Sequence, residues 1–426
     1  MASVKRWIIL GLSISKLISC PAQITIEACY QKAQENYPLI KKYDLIEKTK
    51  EFNINNAEKG YLPQVAVSGN ASYQSDVTHL PSGLSNLALL GGGIPTMSKD
   101  HYGVTMDISQ TIWDGGRIKA QKEKAQMQGN IEKRNTEVGL YSVNQRVNGV
   151  FFGILLADAE LKQNQLYLEN LERNFQKVSS YRQNGLANQG DVDAIEVNIL
   201  KTRQMRIQYE TTRKTYLEML SQLIGEKLND SVKLEKPSSN SLTTTEIDRP
   251  ELKWFDAQIN YYKALHKETV SDLLPKVGAY MTGGYGRPAL NMLEDKFKPY
   301  YMAGIRLSWN LENLYTHKNR EQIIENNIKA VEVDRETFLF NTQLDMDLKN
   351  NQIAKYIQQL KFDQDIIRLR KSIEQISEGK MANGTISGTD LMTDINALQQ
   401  AEQEKITHEM EMLQTIYDLK YVTNNK

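Results

Sequence analysis

The chain has 426 residues, of which 40% are hydrophobic, and its 52 basic and 52 acidic residues leave no net charge. A balanced charge argues against nucleic acid or another polyanion as a partner. The 10 prolines and 25 glycines occur in clusters. They leave stretches of about sixty residues almost free of helix breakers, which indicates long helices.

The N-terminal stretch MASVKRWIILGLSISKLISCPAQ has the features of a secretory signal peptide. A basic pair, Lys5 and Arg6, precedes an apolar run that is too short to span a membrane. We predict a signal peptide at residues 1–22. Cleavage before Cys20 would leave a lipidated cysteine, as in bacterial lipoproteins, whereas cleavage after Ala22 follows an A-x-A-like site of small residues. No later segment reaches about 18 consecutive apolar residues, so the sequence excludes a helical membrane protein.

The remaining sequence occurs twice in similar form. The segment GYLPQVAVSGNASY around Pro63 recurs as DLLPKVGAYMTGGY around Pro275, and NGLANQGDV recurs as NGTISGTDL. Such self-similarity predicts an internal tandem repeat. We place the first repeat at residues 23–225, a linker at 226–247 and the second repeat at 248–426. Each repeat is expected to contain a helix, two strands and long helices.

Heptad patterns follow the strands in both repeats. In the first repeat, two apolar columns run in parallel from Leu140 to Phe175 and from Val143 to Val178. Apolar positions that recur every seven residues, with a second such column three residues later, predict a coiled-coil seam. In the second repeat, the companion column is mostly polar, so that seam is less complete and could face a wet interior. Its members are Thr342, Lys349, Tyr356, Asp363 and Arg370.

Four stretches of about 9 to 12 residues alternate in polarity, as transmembrane β-strands do. Small or apolar residues occupy one face, and aromatic residues lie near the ends. The other face carries polar residues, among them Gln64, Asp107, Lys276 and Arg306. A soluble β-sandwich would alternate as well. The four predicted strands are Leu62–Tyr73, Tyr102–Gln110, Val277–Tyr285 and Tyr301–Trp309.

The stretch YGVTMDISQTIWDGGRIKAQ predicts a strand that leads directly into a helix. Trp113 would sit near the inner rim of the membrane that the strand crosses, where interfacial tryptophans are common. Asp114 can cap the helix, and Gly115 and Gly116 let the backbone turn without strain at Cβ. The corresponding stretch of the second repeat, GIRLSWNLENLY, has no glycine at this joint, so we expect a different geometry there.

The sequence carries no catalytic or metal-binding motif. Its five histidines are scattered, and no HExxH, CxxC, G-x-S-x-G or phosphate-binding loop occurs. We therefore predict neither an enzyme nor a cofactor or metal site.

The segments ITIEACYQKAQENYPLI, KGYLPQVAVSGNASY, MDISQTIWDGG and YRQNGLANQGDVDAIEVNIL together resemble the TolC-like outer-membrane efflux proteins. The resemblance extends over about residues 24–421. It includes the order, the spacing and the duplication of these segments. It implies a mixed α and β membrane protein in which three protomers each give four strands to one twelve-stranded transmembrane β-barrel. A long periplasmic coiled-coil barrel of α-helices would continue that barrel.

The resemblance also implies a function and partners. The homotrimer would be an outer-membrane exit duct, in contact with outer-membrane lipid, that conducts substrates passively to the cell exterior. It would serve a tripartite efflux pump or a type I secretion system, with a periplasmic adaptor protein and an inner-membrane transporter of the RND or ABC type. The alternative is a structural coiled-coil protein of the periplasm or cell surface that forms no channel.

Two breaks in the long helices are the candidate functional sites. Both breaks read Asn-Gly, then a short polar run, then Asp. This pattern predicts a helix C-cap, a tight turn and the start of a new helix, with Asp191 and Asp390 as helix-capping residues. The resemblance implies adaptor docking at these turns. It also implies a gate with two acidic positions. Asp390 matches the first position. The second position falls on Thr393, and Asp394 lies one residue further on. The predicted docking residues are Asn184, Gly185, Leu186, Gly190, Asp191, Asn383, Gly384, Thr385 and Gly388.

Overall fold

The structure, a computed structural model, describes residues 24–77, 97–238, 246–292 and 294–424. The predicted signal peptide and the lipidation of Cys20 lie outside these residues. Within them the chain forms eight α-helices and four β-strands. The helices are α1 Ile26–Asn36, α2 Lys42–Glu58, α3 Arg117–Tyr141, α4 Val143–Gln183, α5 Gln189–Ile224, α6 Pro250–Ser271, α7 Glu312–Ala382 and α8 Gly388–Thr423. The strands are β1 Gln64–Tyr73, β2 Asp100–Trp113, β3 Lys276–Arg287 and β4 Lys298–Ser308.

The fold divides into two compact units, and each draws on both halves of the sequence. The helical unit comprises the described parts of Met1–Ile40, Leu140–Asp248 and Thr342–Lys426, and the sheet unit comprises those of Lys41–Gly139 and Arg249–Asn341. Helices and two strands follow one another in the same order in each half. The boundaries of the tandem repeat stay a prediction.

In the sheet unit, the four strands form one antiparallel sheet in the order β1-β2-β3-β4. The predicted alternation aligns across all of them, because Val65 pairs with Ile108, Ile108 with Met281, and Met281 with Ala303. One face of the sheet is therefore apolar and the other mostly polar. The prediction of four strands is confirmed, although β2 extends past its predicted end and includes Trp113.

The apolar face of the sheet is exposed in the single chain. Val67 is 70% exposed and Ile305 is 75% exposed, and both lie in strand centres rather than in loops. Within the described part of the chain, β1 and β4 each pair along one side only. The sheet unit thus presents an apolar surface and two free strand edges.

In the helical unit, the heptad columns of the first repeat form the core. The predicted companion column lies on α4 and is buried throughout. The apolar run GVFFGILLADA contributes Phe151, Phe152 and Ile154, each at most 1% exposed. Among the described helices, none combines the length and the apolar character that a membrane crossing requires. The buried companion column is Val143, Val150, Ala157, Asn164, Leu171 and Val178.

The polar seam of the second repeat is partly buried, whereas Lys349, Tyr356 and Arg370 are half-buried. Thr342 and Asp363 are each 5% exposed, and Asp363 Oδ2 lies 2.8 Å from His408 Nδ1 on α8. Lys349 Nζ donates to Asp418 Oδ2 at 3.0 Å, also on α8. Asp363 and Lys349 therefore have polar partners on α8, and paired polar groups can be buried at little cost. Whether the seam faces a wet interior stays a prediction.

The predicted linker also packs against the helical unit in its described part. The N–H of Glu235 donates to the carbonyl of Ile24 at 3.0 Å, and Leu234 is 7% exposed. These contacts tie the segment to the start of the described chain.

Candidate functional sites

The two helical turns of the helical unit have the same backbone design. At the end of α4, Gly185 adopts a φ of 74°, and at the end of α7, Gly384 adopts a φ of 70°. A left-handed residue at this position is typical of glycine, which has no Cβ to strain. The N–H groups of Leu186 and Thr385 then reach back to the carbonyls of Tyr181 and Lys380, at 2.8 and 3.0 Å. Both turns are therefore Schellman motifs.

Each turn continues into a helix with a capping box. Asn188 is the N-cap of α5, and its side chain accepts from the N–H of Asp191 at 3.1 Å. Ser387 is the N-cap of α8, and its hydroxyl accepts from the N–H of Asp390 at 3.1 Å. Each aspartate carboxylate in turn accepts a hydrogen bond from the backbone N–H of its cap residue. They are thus third helical residues rather than the caps themselves, a pattern that the spacing of Asn188 and Ser387 would have revealed.

Asp191 also connects the two turns. Its Oδ2 accepts from the N–H of Asn188 at 3.0 Å, and its Oδ1 accepts from the N–H of Gly388 at 2.8 Å. Asp191 is 4% exposed. The N–H of Gly388 belongs to the first turn of α8, where backbone donors lack helical partners and the helix dipole favours a negative charge. One buried carboxylate therefore serves the starts of two helices.

The predicted gate residues have three different environments. Asp390 is exposed, and its carboxylate accepts from the hydroxyl and the N–H of Ser387 at 2.7 and 3.0 Å. These hydrogen bonds, the hydroxyl first, hold the pKa of Asp390 below its ordinary value, because they stabilise the ionised form. Thr393 is exposed as well, whereas Asp394 accepts from the hydroxyl of Ser377 on α7 at 2.6 Å. Sequence reasoning missed Ser377, because a partner on another helix leaves no local signal.

A shared apolar core supports both turns. It contains residues of all four helices that meet there, and the largest fully buried ones are Leu171, Ile195, Met381 and Ile395. Around this core the predicted docking residues Asn184, Gly185, Leu186, Asn383, Gly384 and Thr385 are exposed, whereas Asp191 and Gly388 are buried. The core fixes the turns, and the exposed residues form a surface.

The first joint between strand and helix follows the predicted design. Asp114 is 6% exposed, and its two carboxylate oxygens accept from the N–H groups of Gly116 at 2.9 Å and Ile118 at 2.7 Å. Gly115 and Gly116 adopt φ values of 72° and 85°. A Cβ on Gly115 would lie 2.6 Å from Leu274 Cβ, so close packing requires glycine as well.

The second joint has a different geometry. Asn310 Oδ1 accepts from the N–H of Glu312 at 3.3 Å at the start of α7. The indole N–H of Trp309 donates to the carbonyl of Leu273 at 2.9 Å. Every residue from Ser308 to Glu312 has a negative φ, so this joint needs no glycine.

A cavity of about 390 Å³ lies on the polar face of the sheet beside the first joint. Three cations line it: Arg117 at the start of α3, Lys276 on β3 and Arg306 on β4. The guanidinium of Arg306 lies 4.6 Å from the centre of the Tyr280 ring. The described residues contain no group of three or more His, Cys, Asp and Glu side chains arranged to hold a metal ion.

The fold is that of solved outer-membrane channels. It is similar to the outer-membrane channel OprN at 14% identity and a TM-score of 0.69, over 94% of this chain and 90% of that one. It is also similar to VceC of Vibrio cholerae at 10% identity and a TM-score of 0.68, over 94% and 96%. An open state of the MtrE channel of Neisseria gonorrhoeae matches at 14% identity and a TM-score of 0.66, over 94% and 89%.

Part of the sequence is similar to a known protein family. Residues 29–226 match the family model described as outer membrane efflux protein. The predicted resemblance to the TolC-like outer-membrane efflux proteins is confirmed by this match together with the shared fold. None of the curated proteins matches this chain.

Proposed function

We propose that this protein is one of three identical protomers of an outer-membrane exit duct. The observation that carries the proposal is the open four-stranded sheet, with its exposed apolar face and its free edges at β1 and β4. In lipid, unpaired backbone groups at a strand edge cost several kcal/mol each, so a spanning sheet must close. Three copies would contribute twelve strands, enough for a closed barrel.

The helices support the same assembly. An exposed apolar stripe runs along α7 with intervals of three and four residues, which is the pattern of a coiled-coil seam. Hydrogen bonds from α7 to α8 involve other residues, such as Asp363 and Ser377. A neighbouring copy in a trimer would cover it. The stripe consists of Phe362, Ile366, Leu369, Ile373 and Ile376.

In this proposal, the sheet lies in the outer membrane and the long helices lie in the periplasm. The duct has no energy source of its own and conducts passively, so a periplasmic adaptor and an inner-membrane transporter of the RND or ABC type supply direction and select the substrate. The family match supports the efflux role. The inner-membrane transporter determines whether the duct serves an efflux pump or a type I secretion system.

Planar-bilayer recording of the purified full chain tests the duct. We expect stable single-channel conductance from a trimer that dissociates on heating. Recovery as a soluble periplasmic protein without conductance would instead favour a structural coiled-coil protein.

A pair of variants tests which face of the sheet meets lipid. Ile305→Lys places a charge on the apolar face of β4, and Met302→Lys places the same charge on the opposite face of the same strand. A lysine facing lipid costs roughly 2–4 kcal/mol near the middle of the bilayer, whereas a lumen-facing lysine costs little. We expect Ile305→Lys to reduce the trimer in membrane extracts, with Met302→Lys close to wild type. Equal loss in both would contradict the assignment of faces.

We also propose that Asp390 forms a ring of negative charge at a periplasmic gate and attracts cations there. Its lowered pKa keeps it ionised at neutral pH. Asp390→Asn should change single-channel conductance and reduce block by divalent cations. Asp193→Asn, which neutralises an exposed carboxylate near the other turn, is the matched control. Unchanged conductance and block in Asp390→Asn would remove the gate from the proposal.

The docking surface for the adaptor is proposed at the exposed parts of the two turns. Cys29 is 1% exposed, and burial raises the pKa of its thiol to about 11, so it reacts poorly with thiol reagents. A cysteine introduced at Leu186 or Thr385 would therefore be the reactive thiol among the described residues. We expect crosslinks to the adaptor from these positions but not from a cysteine at Thr211, an exposed position in the middle of α5. Crosslinking from Thr211 alone would place docking elsewhere.

A further inference from the structure

The cavity beside the first joint gathers more positive than negative side chains. Arg117, Lys276 and Arg306 line it, and the carboxylate among the lining residues is that of Asp114. Both oxygens of Asp114 are already engaged by backbone N–H groups at the start of α3. The charge of Asp114 therefore caps the helix and offers little to the cavity.

The strand register places these groups on one face. Lys276 pairs with Ser308, and Gly278 pairs with Arg306, so the two cations project from neighbouring strands on the polar side. Ser109 pairs with Tyr280 on the same side and adds hydroxyl groups to the lining. The cavity thus combines cations with neutral hydrogen-bond donors.

The cations keep unused hydrogen-bonding capacity. Within the described residues, Lys276 and Arg306 form no hydrogen bond or ion pair with a side chain, and Arg306 is held by the face of the Tyr280 ring. Arg117 Nε is buried and has no hydrogen-bond partner. Arg117 forms an ion pair with Asp272, but the 3.7 Å between Nε and Oδ1 is too long for a hydrogen bond.

We infer that this cavity is a binding site for an oxyanion, with Lys276, Arg306 and Arg117 as its ligands. Guanidinium and ammonium groups recognise phosphate and carboxylate oxygens through charge-assisted hydrogen bonds. A bound oxyanion would place acceptor oxygens beside the positively charged groups that line the cavity. The bound oxyanion could come from free phosphate or from the carboxylate of an organic solute.

Calorimetric titration of the detergent-solubilised full chain tests the site, and it does not require the protein to conduct. Sodium phosphate and sodium acetate are titrated separately at low ionic strength, where ionic binding is strongest. We expect saturable binding of at least one anion. Tighter binding of phosphate would assign the site to phosphoryl groups, and tighter binding of acetate would assign it to carboxylates.

Two variants locate the binding. Lys276→Gln with Arg306→Gln should weaken the affinity at least tenfold. The matched control, Lys296→Gln with Lys298→Gln, removes the same charge at the opposite end of the β3 and β4 pair and should stay within about twofold of wild type. Absence of saturable binding in the wild type, or equal weakening in both double variants, would overturn the inference.

A third variant guards against loss of folding in the first. Ser308→Glu keeps all three cations and places a carboxylate directly across from Lys276. This internal anion should compete with phosphate and acetate and abolish their binding. Undiminished affinity in Ser308→Glu, with the heat-dissociable trimer intact, would also overturn the inference.

Discussion

The two helical turns share one local design but treat their aspartates differently. Each turn has a left-handed glycine, a Schellman motif and a capping box that ends in aspartate. Asp191 is 4% exposed and accepts a hydrogen bond from the other turn, whereas Asp390 is exposed and, among the described residues, its carboxylate accepts hydrogen bonds from Ser387 alone. Identical local motifs therefore serve packing in one turn and a surface charge in the other.

The residue at the first position of each helix accounts for the difference. In α8 this residue is Gly388, and a Cβ there would lie 2.6 Å from Asp191 Cβ. In α5 the same position holds Gln189, which is exposed. Only the glycine lets the other turn approach closely enough for its carboxylate to reach the backbone. The asymmetry thus arises from one missing side chain.

Removing the buried carboxylate should have the largest effect. Asp191→Ala deletes a capping interaction and leaves the N–H of Gly388 buried without an acceptor, so we expect a loss of about 2–4 kcal/mol in the stability of this region. Native-state hydrogen exchange should show faster exchange at the starts of both α5 and α8. Asp390→Ala is the matched control and should affect only α8. If Asp191→Ala left the start of α8 protected, the proposed link between the turns would be wrong.

Filling the glycine position should have the next largest effect. Gly388→Ala forces a Cβ against Asp191 and should destabilise the helical unit by roughly 1–3 kcal/mol, as overpacking does. Gly190→Ala is the control, because the nearest atom to its Cβ would be Asn188 Oδ1 at 3.1 Å. There, the helix propensity gained, up to about 1 kcal/mol, offsets the tight contact. Thermal denaturation measures both, and equal destabilisation would argue against the close approach of Gly388.

Acidification should have the smallest effect and should act on the exposed turn. The pKa of Asp390 is lower in the folded state than its ordinary value of 3.8. Its contribution to α8 is therefore complete above the unfolded value and is lost as the pH falls through the lowered folded value. Carboxyl chemical shifts in a pH titration measure this directly. Ser387→Ala removes the main cause and should raise the pKa of Asp390 towards 3.8, whereas an unchanged pKa would contradict the assigned cause.

Features with a local physical cause could be predicted from the sequence. Alternation in Leu62–Tyr73 predicts a half-apolar strand because successive side chains point to opposite faces. The Asp114-Gly115-Gly116 joint is equally readable, because a cap and left-handed glycines act within a few residues. The four strands and the buried column on α4 follow from such periodicities.

Features that depend on distant partners could not be predicted. The polar column from Thr342 to Arg370 suggested contact with water, yet Asp363 is buried against His408. The partner of Asp394, Ser377, lies on another helix, and the cavity at Arg117 draws on a helix and three strands. In each case, the environment of a polar side chain depends on what the fold places opposite it.

Periodicity and capping act within a few residues, so the order of the helices and strands, and the motifs that begin and end them, can be predicted from the sequence. Tertiary structure decided which of two equivalent aspartates is buried, which polar seam is paired and which cations share a cavity. Those outcomes depend on contacts between residues far apart in the chain, where a single glycine such as Gly388 determines how closely two helices approach.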